Sequence, residues 1–195
     1  MMPSNDPIAD RIPDPYARAH GLAEEFAASI DRLIVRLEEA GDAAADRAPA
    51  PDAWSATRIG YHVAIATDAF AAIMRGDGAS GVGPGAAPAP PGFRETPWAD
   101  VVRAMPARRD ATEDLLPPSD VTRGEAIARL SASRDAFVTM LRTLPPERGA
   151  GYCLTHPFVG TIAVYQIAEW ATAHIKLHNA QAKRALAAAE AGGAA

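Results

Sequence analysis

The chain contains few cysteines and lysines and no long apolar run, and each of these absences excludes a class of protein. Its one cysteine, Cys153, rules out an internal disulfide and is in keeping with a reducing cytoplasm. It has few lysines, no cluster of Lys and Arg, and a net charge of −5, which argues against a nucleic-acid-binding surface. No run of ~18 uninterrupted apolar residues occurs, and residues 1–15 lack the pattern of a signal peptide. We therefore expect a cytoplasmic protein without a membrane span.

Aromatic residues are also scarce, at 6% against 48% hydrophobic residues overall. Much of the apolar content is alanine, so the core must be built from small and aliphatic side chains. Such a core suits closely packed helices better than strands. The length of 195 residues predicts one domain over residues 14–190. Residues 1–13 are predicted to form a flexible arm, and residues 191–195 a disordered tail.

Helical periodicity is the main pattern in this domain. Four stretches carry apolar residues at three- and four-residue steps, which is typical of one buried helix face. They span residues 15–40, 55–75, 122–144 and 160–189. Ser55 is the predicted N-cap of the second helix, and Thr122 and Glu125 form a capping box before the third. In the fourth helix, begun by Gly160-Thr161, the predicted inward positions are Ile167, Trp170, His174, Leu177 and Gln181.

The segments between these helices complete the predicted architecture. Residues 42–53 are predicted to form a loop, residues 76–97 no regular element, and residues 149–157 an extended or irregular segment. A helical stretch should begin at Thr96-Pro97, break at Pro106, and resume over 107–116. We therefore predict an all-α protein: an antiparallel four-helix bundle with an extra helical insert between the second and third long helices.

The histidines indicate a metal site. His174 and His178 are four residues apart, so a helix presents both on one face. His62, beside the apolar stripe of the second helix, is the best third ligand. Three histidines would leave one coordination position open, as in catalytic sites. The alternative is that the histidines are simply hydrogen-bonded. Ile175 follows His174 where the His-Glu-x-x-His zinc proteases have their glutamate, so that class is excluded.

Several other residues are weaker candidates. Gln181 could hydrogen-bond a ligand histidine, or be a polar residue near a helix end. His156 is predicted to cap the last helix rather than line the mouth of the site. Arg134 could bind an anionic group, although such arginines more often extend to a bundle end. Cys153 is interpreted as an inert buried thiol, and Glu169 as pointing partly away from the histidines. Core or rim positions are predicted for Trp54, Trp98 and Trp170.

Three features together resemble the DinB-like superfamily of small bacterial metal-binding four-helix proteins. They are Trp54-Ser55 seven residues before His62, the segment His156-Pro157-Phe158-x-Gly160 before the last helix, and His174-x-x-x-His178-x-x-Gln181. The resemblance implies a divalent metal, nickel or zinc, held by His62, His174 and His178. It also implies a homodimer and activities that include hydrolases and thiol-dependent S-transferases. The long 76–118 insert departs from the simplest family pattern.

Two functional hypotheses follow from different classes. The first is a metal-dependent enzyme that acts on a small molecule, either as a hydrolase or as a transferase that uses a low-molecular-weight thiol. No residue can be named with assurance as the general base of a hydrolase, which favours thiol transfer slightly. The second is a non-catalytic helical dimer that binds a small apolar ligand or a protein partner.

Overall fold

The computed structural model describes residues 14–79, 83–105 and 110–193 of the chain. The predicted arm, residues 1–13, lies outside the described residues. The described part is mostly helical, as predicted, and its helices are α1 (Ala17–Glu39), α2 (Asp42–Ala45), α3 (Ala56–Arg75), α4 (Trp98–Ala104), α5 (Arg123–Arg142), α6 (Pro146–Gly151) and α7 (Val164–Gly193). A 3₁₀ turn (Glu113–Leu115) lies between α4 and α5.

The four long helices share one apolar core. Helices α1 and α3 each pack against both α5 and α7. The predicted stripe of α1 is confirmed, since Leu22, Phe26, Ile30, Leu33 and Leu37 are all buried. Phe26 stacks on Phe137 of α5 with a ring-centroid distance of 4.1 Å. Each such side chain contributes about 1.5–3 kcal/mol when it is fully buried, so this face holds α1 in place.

The ends of α3 and α5 form where the sequence predicts them. The Ser55 hydroxyl accepts a hydrogen bond from the Arg58 amide at the start of α3. Gly76 ends α3 with a φ of 103°, a left-handed conformation that glycine adopts without steric cost. Thr122 and Glu125 form the predicted reciprocal capping box at the start of α5. Local sequence thus fixes both ends of α3 and the start of α5.

The all-α prediction is wrong in one respect, because a small antiparallel sheet is present. Its strands, in the order β1-β2-β3, are β1 (Ala87–Pro88), β2 (Tyr152–His156) and β3 (Gly160–Ala163). Leu154 pairs with Ile162, and both are buried. Their less buried neighbours Thr155 and Thr161 hydrogen-bond through their hydroxyls at 3.0 Å. This alternation is typical of a β-hairpin, so α7 starts at Val164 and not at Gly160-Thr161.

The connecting segments differ from the prediction in five places. The predicted loop at 42–53 contains α2, and β1 lies within 76–97. The first residues of 149–157 belong to α6, whereas β2 supplies the extended backbone that was predicted there. The helix predicted over 107–116 is, in its described part, only the 3₁₀ turn. Pro117 disfavours helical backbone at Leu116, so the turn ends at Leu115. The predicted helix start at Thr96-Pro97 is shifted by one residue, since Pro97 is the N-cap of α4.

Helix α7 departs from the predicted inward stripe at Leu177. Ile167 is buried, but Leu177 is 61% exposed, so its predicted inward position is wrong. The buried stripe instead passes through Ile175 and Asn179. Residue 177 is two steps of ~100° from each of these, which turns it to the opposite side of the helix. The helix runs to Gly193 and thus includes residues from the predicted tail.

Within residues 14–79, 83–105 and 110–193, no helix combines the length and the apolar character that a membrane crossing requires.

Candidate metal centre

Helices α3 and α7 bring three histidines together. Phe70 of α3 contacts Trp170 of α7, and His62 contacts His178 further along, so the two helices run antiparallel. One ring nitrogen from each of His62, His174 and His178 lies within 4.8 Å of the others. Within the described residues, this is the only group of three or more His, Cys, Asp or Glu side chains close enough to hold a metal ion. The predicted convergence of the three imidazoles is therefore present.

The α7 pair has the closest approach. The Nε2 atoms of His174 and His178 are 3.1 Å apart, and their ring centroids are 4.3 Å apart. A tetrahedral ion with metal–nitrogen distances of ~2.0–2.1 Å holds two ligand nitrogens roughly 3.3 Å apart. The spacing of the pair therefore matches what one ion requires.

His62 is oriented by a backbone carbonyl from the insert. Its Nδ1 lies 2.7 Å from the carbonyl oxygen of Leu115, in the 3₁₀ turn. Because a carbonyl only accepts hydrogen bonds, Nδ1 carries the proton and Nε2 keeps a free electron pair. The sequence did not predict this contact, because every residue type has a backbone carbonyl.

His178 is oriented by a side chain from its own helix. Its Nδ1 lies 2.8 Å from Oε1 of Gln181, one turn further along α7. The amide oxygen accepts, so Nδ1 of His178 is the donor and Nε2 points its electron pair at His174. The hydrogen-bonding role predicted for Gln181 is the one that the structure shows.

All three imidazoles are held neutral. Burial lowers the pKa of His62, against a smaller opposing effect of the Leu115 carbonyl. Burial lowers the pKa of His178 to about 4, with a further contribution from nearby His62. The pKa of His174 is well below its usual value, because the ring is densely surrounded by protein atoms and faces the other two. Neutral imidazoles are the form that binds a metal, so no proton must leave at neutral pH.

Aromatic rings surround the cluster. The Trp54 ring is 4.9 Å from the His62 ring, and the Phe70 ring is 5.9 Å from the His174 ring. Trp170 packs against Phe70 at 5.6 Å. Trp54 thus contacts one of the three histidines, and Trp170 is linked to the cluster through Phe70.

His156 does not cap the last helix, so that prediction is wrong. It lies at the end of β2, buried, with its ring 4.9 Å from the Trp170 ring. Its Nδ1 accepts a hydrogen bond from the Phe158 amide at 3.2 Å, within the hairpin turn. The reason is the extra strand: β3 separates His156 from Val164, where α7 begins.

Other candidates are engaged elsewhere. Arg134 forms ion pairs with Asp31 and Asp135, so its charge is already matched. Cys153 is buried, and burial raises the pKa of its thiol, which disfavours the reactive thiolate. Ile175 is fully buried in the core.

Glu169 is also held away from the cluster. Its Oε1 accepts a hydrogen bond of 3.3 Å from Arg18, which pairs with Glu95 as well. Burial raises the pKa of this carboxyl, and Arg18 opposes that shift.

Fold and site together define a helical protein whose two facing helices present three neutral imidazoles that could hold a metal ion. A family model described as the DinB superfamily matches residues 25–182, a range that includes all three histidines. The chain belongs to the DinB superfamily. No curated protein and no solved structure matches it.

Proposed function

We propose that this protein is a metal-dependent transferase that joins a low-molecular-weight thiol to a small electrophile. The observation that carries the proposal is the cluster of three neutral imidazoles, His62, His174 and His178. These residues would be the metal ligands, and nickel or zinc is the metal that imidazole donors and the family resemblance favour.

The donor set fits such an ion. The 3.1 Å spacing of the α7 nitrogens and the free Nε2 of His62 suit coordination by imidazole. The chemistry that a bound divalent ion supplies is the acidification of a thiol or water that reaches it. The Leu115 carbonyl and Gln181 hold two of the rings in one tautomer and one orientation.

The charge around the cluster favours thiol transfer over hydrolysis. Within the described residues, no carboxylate joins the group of three histidines. Glu169, the carboxylate nearest to the α7 pair in sequence, is bound to Arg18. A hydrolase needs a general base to take a proton from water, whereas a thiol is acidic enough to react without one. In the proposed transfer, the sulfur bonds to the electrophilic carbon, the leaving group departs with its electron pair, and the thiol proton is released.

Metal content and turnover test this function. Protein purified without a His-tag is expected to contain one equivalent of nickel or zinc. Loaded with metal, it should conjugate a thiol to monochlorobimane faster than the uncatalysed reaction, and a chelator should abolish the gain. Thiol-independent cleavage of ester or amide substrates would instead assign a hydrolase. If the purified protein contains no metal and its melting temperature does not change when chelator is added, the hypothesis of a non-catalytic binding protein is favoured.

Gln181→Ala should weaken metal binding by about 10–100-fold, the usual effect of removing a group that orients a ligand histidine. The variant loses the acceptor for Nδ1 of His178, so the ring becomes free to rotate and to change tautomer. Competition with a chromophoric chelator measures the affinity. Gln181→Glu keeps an acceptor and should retain most of it, and Lys183→Ala, exposed on the same helix, is the matched control. Equal affinities in the Gln181→Ala variant and the control would contradict the orienting role.

We further propose that the four long helices form an antiparallel four-helix bundle and that the protein is a homodimer. The packing of α1 and α3 against α5 and α7 supports the bundle. The family resemblance supports the dimer, which sedimentation of untagged protein would test.

A further inference from the structure

Arg58 lies beside the histidine cluster. It precedes His62 by one turn on α3, so both residues share a helix face. Its guanidinium carbon is 5.9 Å from the centre of the Trp54 ring, and that ring is 4.9 Å from the His62 ring. The distance from the guanidinium carbon to the centre of the His62 ring is therefore at most the sum of these two distances. The segment that binds His62 through Leu115 also binds Arg58, through the Pro117 carbonyl at 3.2 Å.

Among the described residues, the charge of Arg58 has no ionic partner. In the described part of the chain, no carboxylate lies within ion-pair distance of it, and the Pro117 carbonyl is its one side-chain hydrogen-bond partner. Its Nε is buried and makes no hydrogen bond at all. Arg129, on α5, is paired with Asp68 of α3. A half-buried guanidinium with a buried, unsatisfied donor is costly and calls for an explanation.

Stabilisation of α3 does not supply that explanation. Arg58 is in the first turn of the helix, where the backbone dipole disfavours a positive charge. The contact with Trp54 is at the outer limit of a cation–π interaction. A guanidinium has five N–H donors in a planar fork that fits both oxygens of a carboxylate. One of them binds the Pro117 carbonyl, and none binds a carboxylate of the described residues.

We propose that Arg58 binds a carboxylate of the thiol co-substrate, and so selects thiols that carry an acidic group near the sulfur. This inference rests on the proposed function, because it places the thiol at the three histidines. The carboxylate would pair with the charge of Arg58 while the sulfur faces the cluster. Arg58 is thus a substrate-binding residue that determines which thiol is used.

Calorimetric titration of the zinc-loaded protein with two matched probes tests this assignment. Glutathione carries two carboxylates on flexible arms, and its dimethyl ester has the same thiol with both carboxylates neutralised. Wild-type protein should bind glutathione about 10–100-fold more tightly than the diester, the range for a charge-assisted hydrogen bond. Arg58→Gln should lose this preference while its affinities for zinc and for the diester stay unchanged.

Two further variants keep the result interpretable. Arg58→Lys retains the charge without the planar fork, and should show an intermediate preference even if Arg58→Gln folds poorly. Arg75→Gln changes the arginine at the other end of α3 and should behave as wild type. Equal binding of both probes by wild-type protein, or an unchanged preference in Arg58→Gln, would overturn the role of Arg58 and leave the thiol transferase standing. Binding of neither probe would overturn both, and absence of bound zinc would refute the metal centre itself.

Discussion

Replacing His174 with alanine is expected to abolish stoichiometric metal binding and to weaken the affinity by more than about 100-fold. Loss of a residue that merely orients a ligand costs about 10–100-fold, and His174 is proposed as a ligand itself. Its Nε2 lies 3.1 Å from that of His178, and its ring is in contact with His62. The variant leaves two imidazoles, on different helices, to hold the ion. Metal analysis after dialysis and a chelator competition titration measure the change.

His20→Ala is the matched control for this prediction. His20 is an exposed histidine of α1 that pairs with Asp14 at 3.3 Å and lies outside the cluster. Its removal should leave metal content and affinity at wild-type values. Far-ultraviolet circular dichroism of both variants separates loss of a ligand from loss of the fold. A His174→Ala protein that is folded and still holds one tightly bound equivalent would rule out the three-histidine centre.

The long helices could be predicted because their signals are local. Ser55, Gly76 and the Thr122–Glu125 capping box each act within a few residues, and each is found where the sequence places it. The stripe of α1 was also readable, since a period of 3.6 residues identifies its buried face.

The sheet could not be predicted in the same way. Ala87 and Pro88 form a strand only because they pair with Cys153 and Tyr152, which are far away in sequence. Strand formation depends on such partners more than on intrinsic preference. The hairpin that follows carried a weak alternating pattern, which the adjacent, strongly helical segment obscured. Because the hairpin was not predicted, the start of α7 was placed too early and His156 was wrongly predicted to cap that helix.

The candidate site was predictable where it depends on helix geometry alone. The spacing of His174 and His178 places them on one face, and the position of His62 beside an apolar stripe points it inward. The Leu115 carbonyl was not predictable, because any residue type could supply it. Arg58 was not predictable either, since its significance comes from the absence of a carboxylate around it in the described structure. A sequence shows which residues are present, but not which of them lack a partner.

The metal-free protein should lose stability as the pH falls from about 6.5 to 4, and His178 is the clearest cause. An unfolded chain protonates this histidine near pH 6.5, but burial lowers its pKa to about 4 in the folded protein. Between these values only the unfolded state binds the proton, so falling pH favours unfolding. The contribution of His178 is fully present above pH 6.5, and about 3 kcal/mol is lost by pH 4. The lowered pKa values of His62 and His174 act in the same direction.

Urea denaturation of chelator-treated protein at a series of pH values measures this loss. His178→Gln removes the titrating group, so its free energy of unfolding should depend less on pH than that of wild type by about 3 kcal/mol over this range. The effects of acidic groups away from the histidine cluster are common to both proteins and cancel in the difference. Added zinc should protect wild type in the upper part of the range, because the ion binds the neutral imidazoles of the folded state alone. Parallel pH curves for wild type and His178→Gln would show that His178 titrates normally in the folded protein, and that the imidazoles are not held neutral by burial.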